Sequence, residues 1–447
     1  MGVSLTRTAG TPTSKKKFTF SVWYKKTTIR DYGASTSDGF FFNSSSNNDN
    51  RLGLMINQEN SPYDQVRLVG RNSGSQILDL RTDAILRDPS AWYHIVAKVD
   101  TTQSTNTNRA KLYINGVEQA LDTNSYPNQD VELEIQHTPY VLSYGGSSNY
   151  LEGYVTHFHY TDGYAYDAST FGETDSTSGI WKPKPSPSGV TYGTNGFFLK
   201  FENSGAMGTD SSGQSNNLTV SGTFKQYSDT PSNNFATLNP NSTHGNNSLS
   251  VGNTKIAFSA NTSYTNSIGN IGVNSGRWYA ECKIAGATTY YPCIGFCSMG
   301  NITRRYYDPL YTAAHLGADE GTGYFAHGNI QKNGSTDGDY ATFTTGDIIS
   351  MYLDLESATK TMKYYKNNSL IRSTTITPVD GQFYTFGATG TSSSDIVEFN
   401  FGGGYFGTTA VASANADANG HGAFEYSPTL SGVHYYTLCT KNIKEFG

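Results

Sequence analysis

The sequence predicts an all-β protein made of two antiparallel β-sandwiches in tandem. Two stretches far apart share one design, in which a Trp-Tyr pair opens an alternating strand and an aromatic hairpin with an Asn-containing turn follows: residues 92–116 and 278–368. Tyr (32), Phe (23) and Gly (47) are abundant while only 15% of the residues are charged. This composition is typical of short strands joined by polar turns. At 447 residues, the chain is long enough for two domains that each bury a core.

The first predicted sandwich spans residues 1–176. Residues 18–24 and 93–99 alternate between apolar and polar side chains, which indicates strands with one buried face each. Asn115 and Gly116 separate two strand patterns, and this dipeptide readily adopts the positive φ angles of a type I′ turn. The pattern therefore predicts a hairpin at this point.

Residues 177–240 predict an extended linker, because Pro, Gly, Ser and Asn replace the alternating pattern. Within it, the aromatic run at 196–201 could pair with a sheet edge. The second sandwich is predicted over residues 241–447. It starts with a strand at 278–284 that has one apolar and one polar face, and a later hairpin is predicted at 363–368.

Both halves carry family resemblances. The runs at 90–100 and 111–117 resemble the strand and hairpin pair of laminin-G-like, concanavalin A-type domains. Gly-Arg-Trp-Tyr-Ala-Glu at 276–281, Gly-Asp at 346–347 and Asn-Phe-Gly at 400–402 resemble SPRY domains. The resemblance implies a jelly-roll concanavalin A-like sandwich followed by a SPRY-like sandwich.

Segments that neither sandwich requires resemble virion proteins of marine tailed bacteriophages. These segments are residues 4–8, 179–183, 192–197, 229–240 and 438–443. The resemblance implies a non-enzymatic structural and adhesion protein on the virion surface, synthesised in the host cytoplasm, as a tail fibre, appendage or capsid decoration. The partners that it implies are other virion proteins, further copies of the chain in a homo-oligomer such as a trimer, and a host cell-surface glycan or receptor.

Charge and hydropathy exclude two classes of partner. The net charge of -6 and a pI near 5.8 give no broad basic field, so we expect no binding to nucleic acid. No apolar stretch approaches the roughly 20 residues that a membrane-spanning helix needs, so we expect no membrane insertion.

Cys282, Cys293, Cys297 and Cys439 are expected to be buried free thiols. Two cysteines four residues apart on one strand lie roughly 13 Å from each other, beyond disulfide reach.

Catalytic motifs for hydrolysis, phosphate binding or dinucleotide binding are missing, so we expect no catalytic residue. Glu132 and Glu134 lie two apart on one predicted strand, where a solvated face is favoured over acid and base chemistry. The alternative function is a polysaccharide-cleaving glycoside hydrolase, since concanavalin A-type sandwiches also host glucanases. A secreted carbohydrate-binding lectin is less favoured, because the N-terminus lacks the apolar core of a signal peptide.

Two patterns imitate metal sites. His157 and His159 would point the same way from a strand and could bind a metal with a third ligand from a neighbouring strand. Residues 415–420 imitate a calcium loop, but Tyr426 stands where the bidentate glutamate is required. We expect neither a metal nor another cofactor.

The candidate binding residues are aromatic and basic side chains in predicted loops. They are Tyr290, Tyr291, Arg304, Arg305, Tyr306, Tyr307 and Tyr311. Tyr and Arg are enriched in binding surfaces, and sugar rings stack on aromatic faces. The pattern also fits contacts between subunits and packing within the domain.

Overall fold

The computed structural model describes residues 2–28, 39–57, 62–243, 247–259, 264–301 and 320–446. The chain forms two compact units, Met1–Gln226 and Tyr227–Gly447. Each unit contains two large sheets in which neighbouring strands run almost entirely antiparallel. The predicted all-β fold class with two tandem sandwiches is confirmed.

The strands of the first unit are short to medium in length. They are β1 (Ser4–Thr6), β2 (Lys17–Lys25), β3 (Gly39–Asn47), β4 (Asn50–Asn57), β5 (Gln65–Asn72), β6 (Ser75–Ile85), β7 (Tyr93–Asp100), β8 (Ala110–Ile114), β9 (Val117–Glu118), β10 (Leu121–Ser125), β11 (Pro139–Val141), β12 (Tyr154–Asp162), β13 (Gly172–Thr174), β14 (Trp181–Pro183), β15 (Phe197–Leu199) and β16 (Thr219–Ser221). Short 3₁₀ helices occupy Asn106–Asn108 and Ala168–Thr170.

The core of the first unit lies between an eight-stranded sheet, ordered β10-β6-β5-β4-β3-β11-β1-β16, and a six-stranded sheet, ordered β15-β12-β2-β7-β8-β9. Phe18 and Phe20 of β2 and Leu54 of β4 are fully buried in this core. The strands predicted at 18–24 and 93–99 are therefore confirmed, and their predicted apolar positions face the core. The predicted turn is also confirmed, because Asn115 and Gly116 have φ angles of 49° and 82° and connect β8 to β9.

Residues 177–240 differ from the predicted extended linker. β14 pairs with β13, β15 pairs with β12 and forms an edge of the six-stranded sheet, and β16 pairs with β1. Phe197 and Leu199 are fully buried in the core of the first unit, which favours sheet pairing despite the polar surroundings. The boundary between the compact units lies after Gln226, so most of the predicted linker belongs to the first sandwich.

The outer face of β2 is buried too, in contrast to the single buried face that the alternation predicts. Thr19, Ser21 and Trp23 are at most 2% exposed. Trp181 covers this face and donates from Nε1 to Nδ1 of His94 on β7, at 3.0 Å. Nε2 of His94 lies 2.8 Å from Oγ of Ser21, so the neutral imidazole with its proton on Nε2 satisfies both contacts.

The same covering layer continues over β12. Nδ1 of His159 lies 2.8 Å from the hydroxyl of Tyr192, and its ring stacks on Phe198 with a centroid separation of 3.8 Å. Phe171 contacts the other side of this region, with a centroid separation of 4.8 Å from His159. We call residues 164–198, which cover His94 and His159 on the outer face of the six-stranded sheet, the histidine layer.

The second unit contains the remaining strands and one short helix. The strands are β17 (Ser248–Ser250), β18 (Lys255–Ala257), β19 (Thr265–Ile268), β20 (Arg277–Gly286), β21 (Cys293–Ser298), β22 (Gly321–Phe325), β23 (Asn329–Lys332), β24 (Ser335–Asp339), β25 (Ile348–Asp354), β26 (Thr361–Lys366), β27 (Ser369–Thr375), β28 (Tyr384–Gly390), β29 (Ile396–Asn400), β30 (Tyr405–Phe406), β31 (Thr409–Ala410), β32 (Thr429–Leu430), β33 (Val433–His434) and β34 (Tyr436–Thr437). The helix α1 is Thr440–Phe446, and 3₁₀ helices occupy Pro240–Ser242 and Met299–Asn301.

One sheet of the second unit is ordered β17-β18-β29-β20-β25-β26-β27, with β34 beside β20, and the other is ordered β19-β28-β21-β22-β23-β24. Trp278, Ala280 and Cys282 of β20 face the core between the sheets, as the alternation predicts. The predicted hairpin is confirmed, because Asn367 and Asn368 have φ angles of 48° and 67° between β26 and β27.

The predicted polar face of β20 is covered by the C-terminal segment. Glu281 on this face is fully buried. Its Oε1 accepts hydrogen bonds from the hydroxyl of Tyr279 at 2.6 Å and the backbone N–H of Tyr426 at 2.7 Å. Its Oε2 accepts from the backbone N–H of Glu425 at 2.9 Å and from Nδ2 of Asn400 at 3.4 Å. We call this covering layer, residues 423–437, the glutamate layer.

The second unit contains all four cysteines. Cys282, Cys293, Cys297 and Cys439 are all buried free thiols, which confirms the prediction. Among the described residues, no helix is both long and apolar enough to cross a bilayer.

Candidate functional site

A cleft of about 310 Å³ opens at one end of the six-stranded sheet of the second unit. Its lining residues are Tyr264, Tyr290, Tyr291, Phe325, His327 and Gln331, and we call it the tyrosine cleft. Cys293 at the start of β21 pairs with Phe325 at the end of β22. This register brings the loop before β21 next to the turn after β22, and the backbone N–H of Ala326 donates to the carbonyl of Pro292 at 3.1 Å.

The mouth of the tyrosine cleft is formed by an exposed ring. Tyr290 is 62% exposed. Its ring packs edge to face against His327 with a centroid separation of 5.2 Å, and its carbonyl lies 3.3 Å from Nδ1 of His327. This exposed ring is available to a binding partner. Contact with a partner would remove apolar surface from water and so favour binding.

The inner wall of the cleft is more buried. The ring of Tyr291 packs edge to face against Phe325 at 5.6 Å and lies 5.7 Å from the ring of Tyr264. Burial raises the pKa of the Tyr291 phenol, and a hydrogen bond with the Tyr264 side chain raises it further. The wall therefore stays uncharged and presents phenol hydroxyls near neutral pH.

The lining combines aromatic faces with neutral polar groups. Gln331 on β23 contributes an amide and His327 an imidazole, and no Asp or Glu is among the described residues of the lining. Such a surface can stack against the apolar face of a sugar ring and hydrogen-bond to its hydroxyls. Its described residues include no pair of facing carboxylates of the kind that glycoside hydrolysis requires.

The structure brings together two of the predicted binding residues. Tyr290 and Tyr291 both line the tyrosine cleft. The other candidates lie outside the described residues, and they are Arg304, Arg305, Tyr306, Tyr307 and Tyr311. Sequence reasoning missed Tyr264, Phe325, His327 and Gln331. They come from strands and turns distant in sequence, and only the pairing of β21 with β22 could have indicated their meeting.

The paired histidines do not form the predicted arrangement on a regular strand. A bulge interrupts the pairing of β12 with β2 between Thr156 and His159, and His157 has a φ angle of 48°. His159 is held in the histidine layer, while Nδ1 of His157 lies 2.9 Å from the Thr156 hydroxyl. Burial lowers the pKa of His157 to about 4. In the described ranges, no group of three His, Cys, Asp or Glu side chains is arranged to hold a metal ion.

The two acidic patterns also have structural partners. The prediction of a strand around Glu132 and Glu134 is wrong, because residues 126–138 form no strand. The backbone N–H of Leu133 donates instead to the carbonyl of Lys15. Glu132 pairs with Lys15, and Oε2 of Glu134 lies 2.7 Å from Nε2 of His137. The two carboxylates therefore face separate partners on the surface of the first unit.

Asp417, in the loop that imitates a calcium site, is buried and saturated. Its Oδ1 accepts from the backbone N–H groups of Asn419 at 3.0 Å and His421 at 2.9 Å. Its Oδ2 accepts from the backbone N–H of Thr437 at 2.9 Å and from Nδ2 of Asn442 at 2.8 Å. This carboxylate ties the loop to β34 and α1.

Comparison with known proteins finds a family match within the first unit. Residues 2–163 match the family described as the concanavalin A-like lectin/glucanases superfamily. The first unit therefore carries a concanavalin A-like domain, as the resemblance of residues 90–117 implies. No curated protein matches the chain in sequence.

Solved structures similar to the chain include SPRY domains. The SPRY domain of human HERC1 has 19% identity and a TM-score of 0.30, with 36% of this chain and 96% of that chain covered. A human SPRY domain has 15% identity and a TM-score of 0.26, covering 34% and 94%. The TRIM65 PSpry domain has 13% identity and a TM-score of 0.29, covering 37% and 88%.

Proposed function

We propose that this chain is a non-enzymatic structural and adhesion protein on the surface of a tailed-bacteriophage particle. It binds other particle proteins and contacts a glycan at the host surface through the tyrosine cleft. The particle assignment is supported by the segments outside the sandwich motifs that resemble virion proteins, at residues 4–8, 179–183, 192–197, 229–240 and 438–443.

The adhesion assignment rests on one observation, the uncharged aromatic lining of the tyrosine cleft. Tyr290 offers an exposed ring at the mouth, and His327 and Gln331 offer hydrogen-bonding groups beside it. Glycan rings present alternating C–H faces and hydroxyl edges, which match such a lining. No carboxylate is among the lining residues that the structure describes, which favours binding over cleavage.

A binding experiment with matched variants tests the adhesion proposal. The full chain is applied to an array of uncharged and N-acetylated bacterial surface oligosaccharides, and hits are titrated calorimetrically. We expect Tyr290→Ala to weaken binding by about tenfold, because hot-spot aromatic residues contribute more than about 1 kcal/mol. Phe383→Ala removes an aromatic ring that is 49% exposed on the same unit outside the cleft, and it should leave affinity unchanged.

Two outcomes would contradict the proposal. Release of reducing sugar ends from a bound oligosaccharide, abolished by a carboxylate variant, would favour the glycoside hydrolase. Equal loss of binding in Tyr290→Ala and Phe383→Ala would place the contact elsewhere. The particle assignment has its own test, because antibodies against the chain must label intact phage particles in electron micrographs.

A further inference from the structure

Two rings of the tyrosine cleft are carried by one short loop, residues 287–292, between β20 and β21. Tyr290 at the mouth and Tyr291 on the inner wall both belong to this loop. Most of the Tyr290 ring is exposed, so its packing against His327 alone holds it weakly. The position of both rings therefore depends on contacts made elsewhere in the loop.

One carboxylate outside the lining holds this loop. Oδ1 of Asp395 accepts a hydrogen bond from the backbone N–H of Thr288 at 3.0 Å. Oδ2 of the same carboxylate accepts from the backbone N–H groups of Thr391 and Ser392, at 3.0 and 3.1 Å. Thr391 and Ser392 belong to the turn between β28 and β29, so this carboxylate joins that turn to the cleft loop.

The carboxylate is itself fixed in place by burial and by its backbone. Asp395 is fully buried. Its N–H donates to the carbonyl of Ser392 at 2.9 Å, and its carbonyl accepts from the N–H of Phe258 at 3.1 Å. Because a buried carboxylate is costly unless donors replace its hydration, the three backbone donors around it stabilise both segments that supply them.

A hydroxyl group carries this restraint onward to the tyrosines. Oγ1 of Thr288 accepts from the backbone N–H of Tyr291 at 3.3 Å and lies 3.4 Å from the carbonyl oxygen of Tyr291. These contacts close residues 288–291 into a turn that contains Tyr290. Burial is the largest cause of the raised pKa of the Tyr291 phenol, and the negative charge of Asp395 is a further cause.

The two segments also approach each other closely along the backbone. Gly286 is the last residue of β20 and pairs with Ile396, the first residue of β29. A Cβ atom at Gly286 would lie 2.3 Å from the carbonyl oxygen of Ser394, well below the roughly 3.5 Å of a normal contact. Glycine at this position therefore lets the turn between β28 and β29 lie directly on the start of the cleft loop.

We propose that Asp395 is a positioning residue, which acts through Thr288 to hold Tyr290 in the orientation that binds a glycan. This inference rests on the proposed adhesion function. It adds that the affinity of the tyrosine cleft is set in part by the turn between β28 and β29, outside the lining. An ionised carboxylate suits this role because it accepts on both oxygens at once, whereas the amide of Asn accepts on one side only.

Asp395→Asn tests this role with a nearly isosteric change. We expect the amide oxygen to face the two donors of its own turn, which leaves the NH₂ group opposed to the N–H of Thr288. The full chain is titrated calorimetrically with the array oligosaccharide that the unaltered chain binds most tightly. Affinity should fall by about tenfold, because a buried donor loses its acceptor and the cleft loop is released.

Thr288→Val tests the second link and keeps Asp395 in place. It removes Oγ1 but retains the backbone N–H, so affinity should fall by about threefold. In the double variant, the loss should exceed that of Asp395→Asn by less than about twofold, because both changes release the same loop. This variant also keeps the proposal open to contradiction if Asp395→Asn fails to fold.

The matched control is Asp354→Asn. Asp354 is 5% exposed, and its Oδ1 accepts from the backbone N–H groups of Glu356 at 3.0 Å and Ser357 at 2.9 Å. It is directly opposite Arg277 at the start of β20, whereas the cleft loop follows the end of that strand, roughly 30 Å away. The change should lower the melting temperature of the second unit but alter affinity by less than about twofold.

Amide hydrogen exchange, followed by mass spectrometry, gives a readout that needs no ligand. Exchange in residues 287–292 should become about tenfold faster in Asp395→Asn and stay unchanged in Asp354→Asn. If the unaltered chain binds no oligosaccharide, the adhesion function fails, while exchange still decides whether Asp395 holds the loop. Unchanged exchange in Asp395→Asn would overturn the proposal, as would an affinity no lower than that of Asp354→Asn.

Discussion

The histidine layer of the first unit and the glutamate layer of the second unit occupy equivalent positions but bury different groups, a basic side chain in one case and an acidic side chain in the other. Each covers the outer face of a sheet with a segment that contains little regular strand. The first layer holds His94 and His159 among aromatic rings, and the second holds Glu281 against four hydrogen-bond donors. Two sandwiches with similar strand patterns therefore bury groups that respond to pH in opposite directions.

Burial is the main cause of both responses. It lowers the pKa of His94 to about 3 and raises the pKa of Glu281 to about 7. Loss of water penalises the charged imidazolium in the first case and the charged carboxylate in the second. The four donors around Glu281 act in the other direction and limit the rise of its pKa.

Removal of the Glu281 carboxylate should have the largest effect. Glu281→Leu leaves two backbone N–H groups and the Tyr279 hydroxyl without their acceptor inside the glutamate layer, while the Asn400 amide keeps the carbonyl of Ala423. We expect the second unit to lose about 3–5 kcal/mol of unfolding free energy. Calorimetric scans of the full chain should show one transition moving to lower temperature while the other remains in place.

The matched control uses an exposed carboxylate in the same unit, just after the end of β25. Glu356 pairs with Arg277 at 3.0 Å, and its side chain is 55% exposed. Glu356→Leu should change stability by less than about 1 kcal/mol. If Glu281→Leu is no more destabilising than this control, the four hydrogen bonds are not what holds the glutamate layer in place.

The sequence predicts the inner faces of these sheets and not their outer layers. Alternation along β2 and β20 identifies Phe18 and Trp278 as core residues, because the side that faces the other sheet must be apolar. The opposite sides carry Ser21 and Glu281, which are typical of solvent-facing positions. Nothing local to either strand indicates that Trp181 or Tyr426 will cover them, since both covering residues are more than a hundred positions away.

Acidification should have the next largest effect and should separate the two units. His94 has a lowered pKa in the folded state, so its contribution to stability is complete above pH 6.5 and is lost as the pH falls toward 3. The groups facing it are Ser21, Trp23 and Trp181, which are uncharged, while Lys200 acts on His157 and His159. Between pH 6.5 and 4.5, His94 alone should cost the first unit about 2 kcal/mol.

Glu281 has the opposite sign over an overlapping interval. Its raised pKa means that its contribution to stability is complete below pH 4.5 and is lost as the pH rises toward 7. In calorimetric scans at pH 6.5, 5.5 and 4.5, the melting temperature of the first unit should therefore fall as the pH falls. Protonation of Glu281 over the same interval favours the folded second unit. His94→Gln should reduce the acid slope of the first transition, whereas the exposed His434→Gln should not. Parallel shifts of both transitions would contradict the difference between the layers.

The candidate site was only partly predictable for a similar reason. A Tyr-Tyr-Pro run in a predicted loop indicates a binding surface, and Tyr290 and Tyr291 do line the tyrosine cleft. The other walls depend on the register of β21 with β22, which places Phe325 beside the same loop.

The smallest expected effect concerns the hydrogen bond that closes the histidine layer. Trp181→Phe keeps an aromatic ring over the sheet but removes the Nε1–H that donates to Nδ1 of His94 at 3.0 Å. Since a buried acceptor loses its donor, the first unit should lose about 1 kcal/mol of unfolding free energy at pH 7. Tyr113→Phe, which removes a hydroxyl 3.1 Å from Asp167, should cost less, because the Asp167 side chain is 58% exposed and can bind water instead. An unchanged first transition in Trp181→Phe would mean that packing alone holds this layer, and the contrast with the hydrogen-bonded glutamate layer would become sharper.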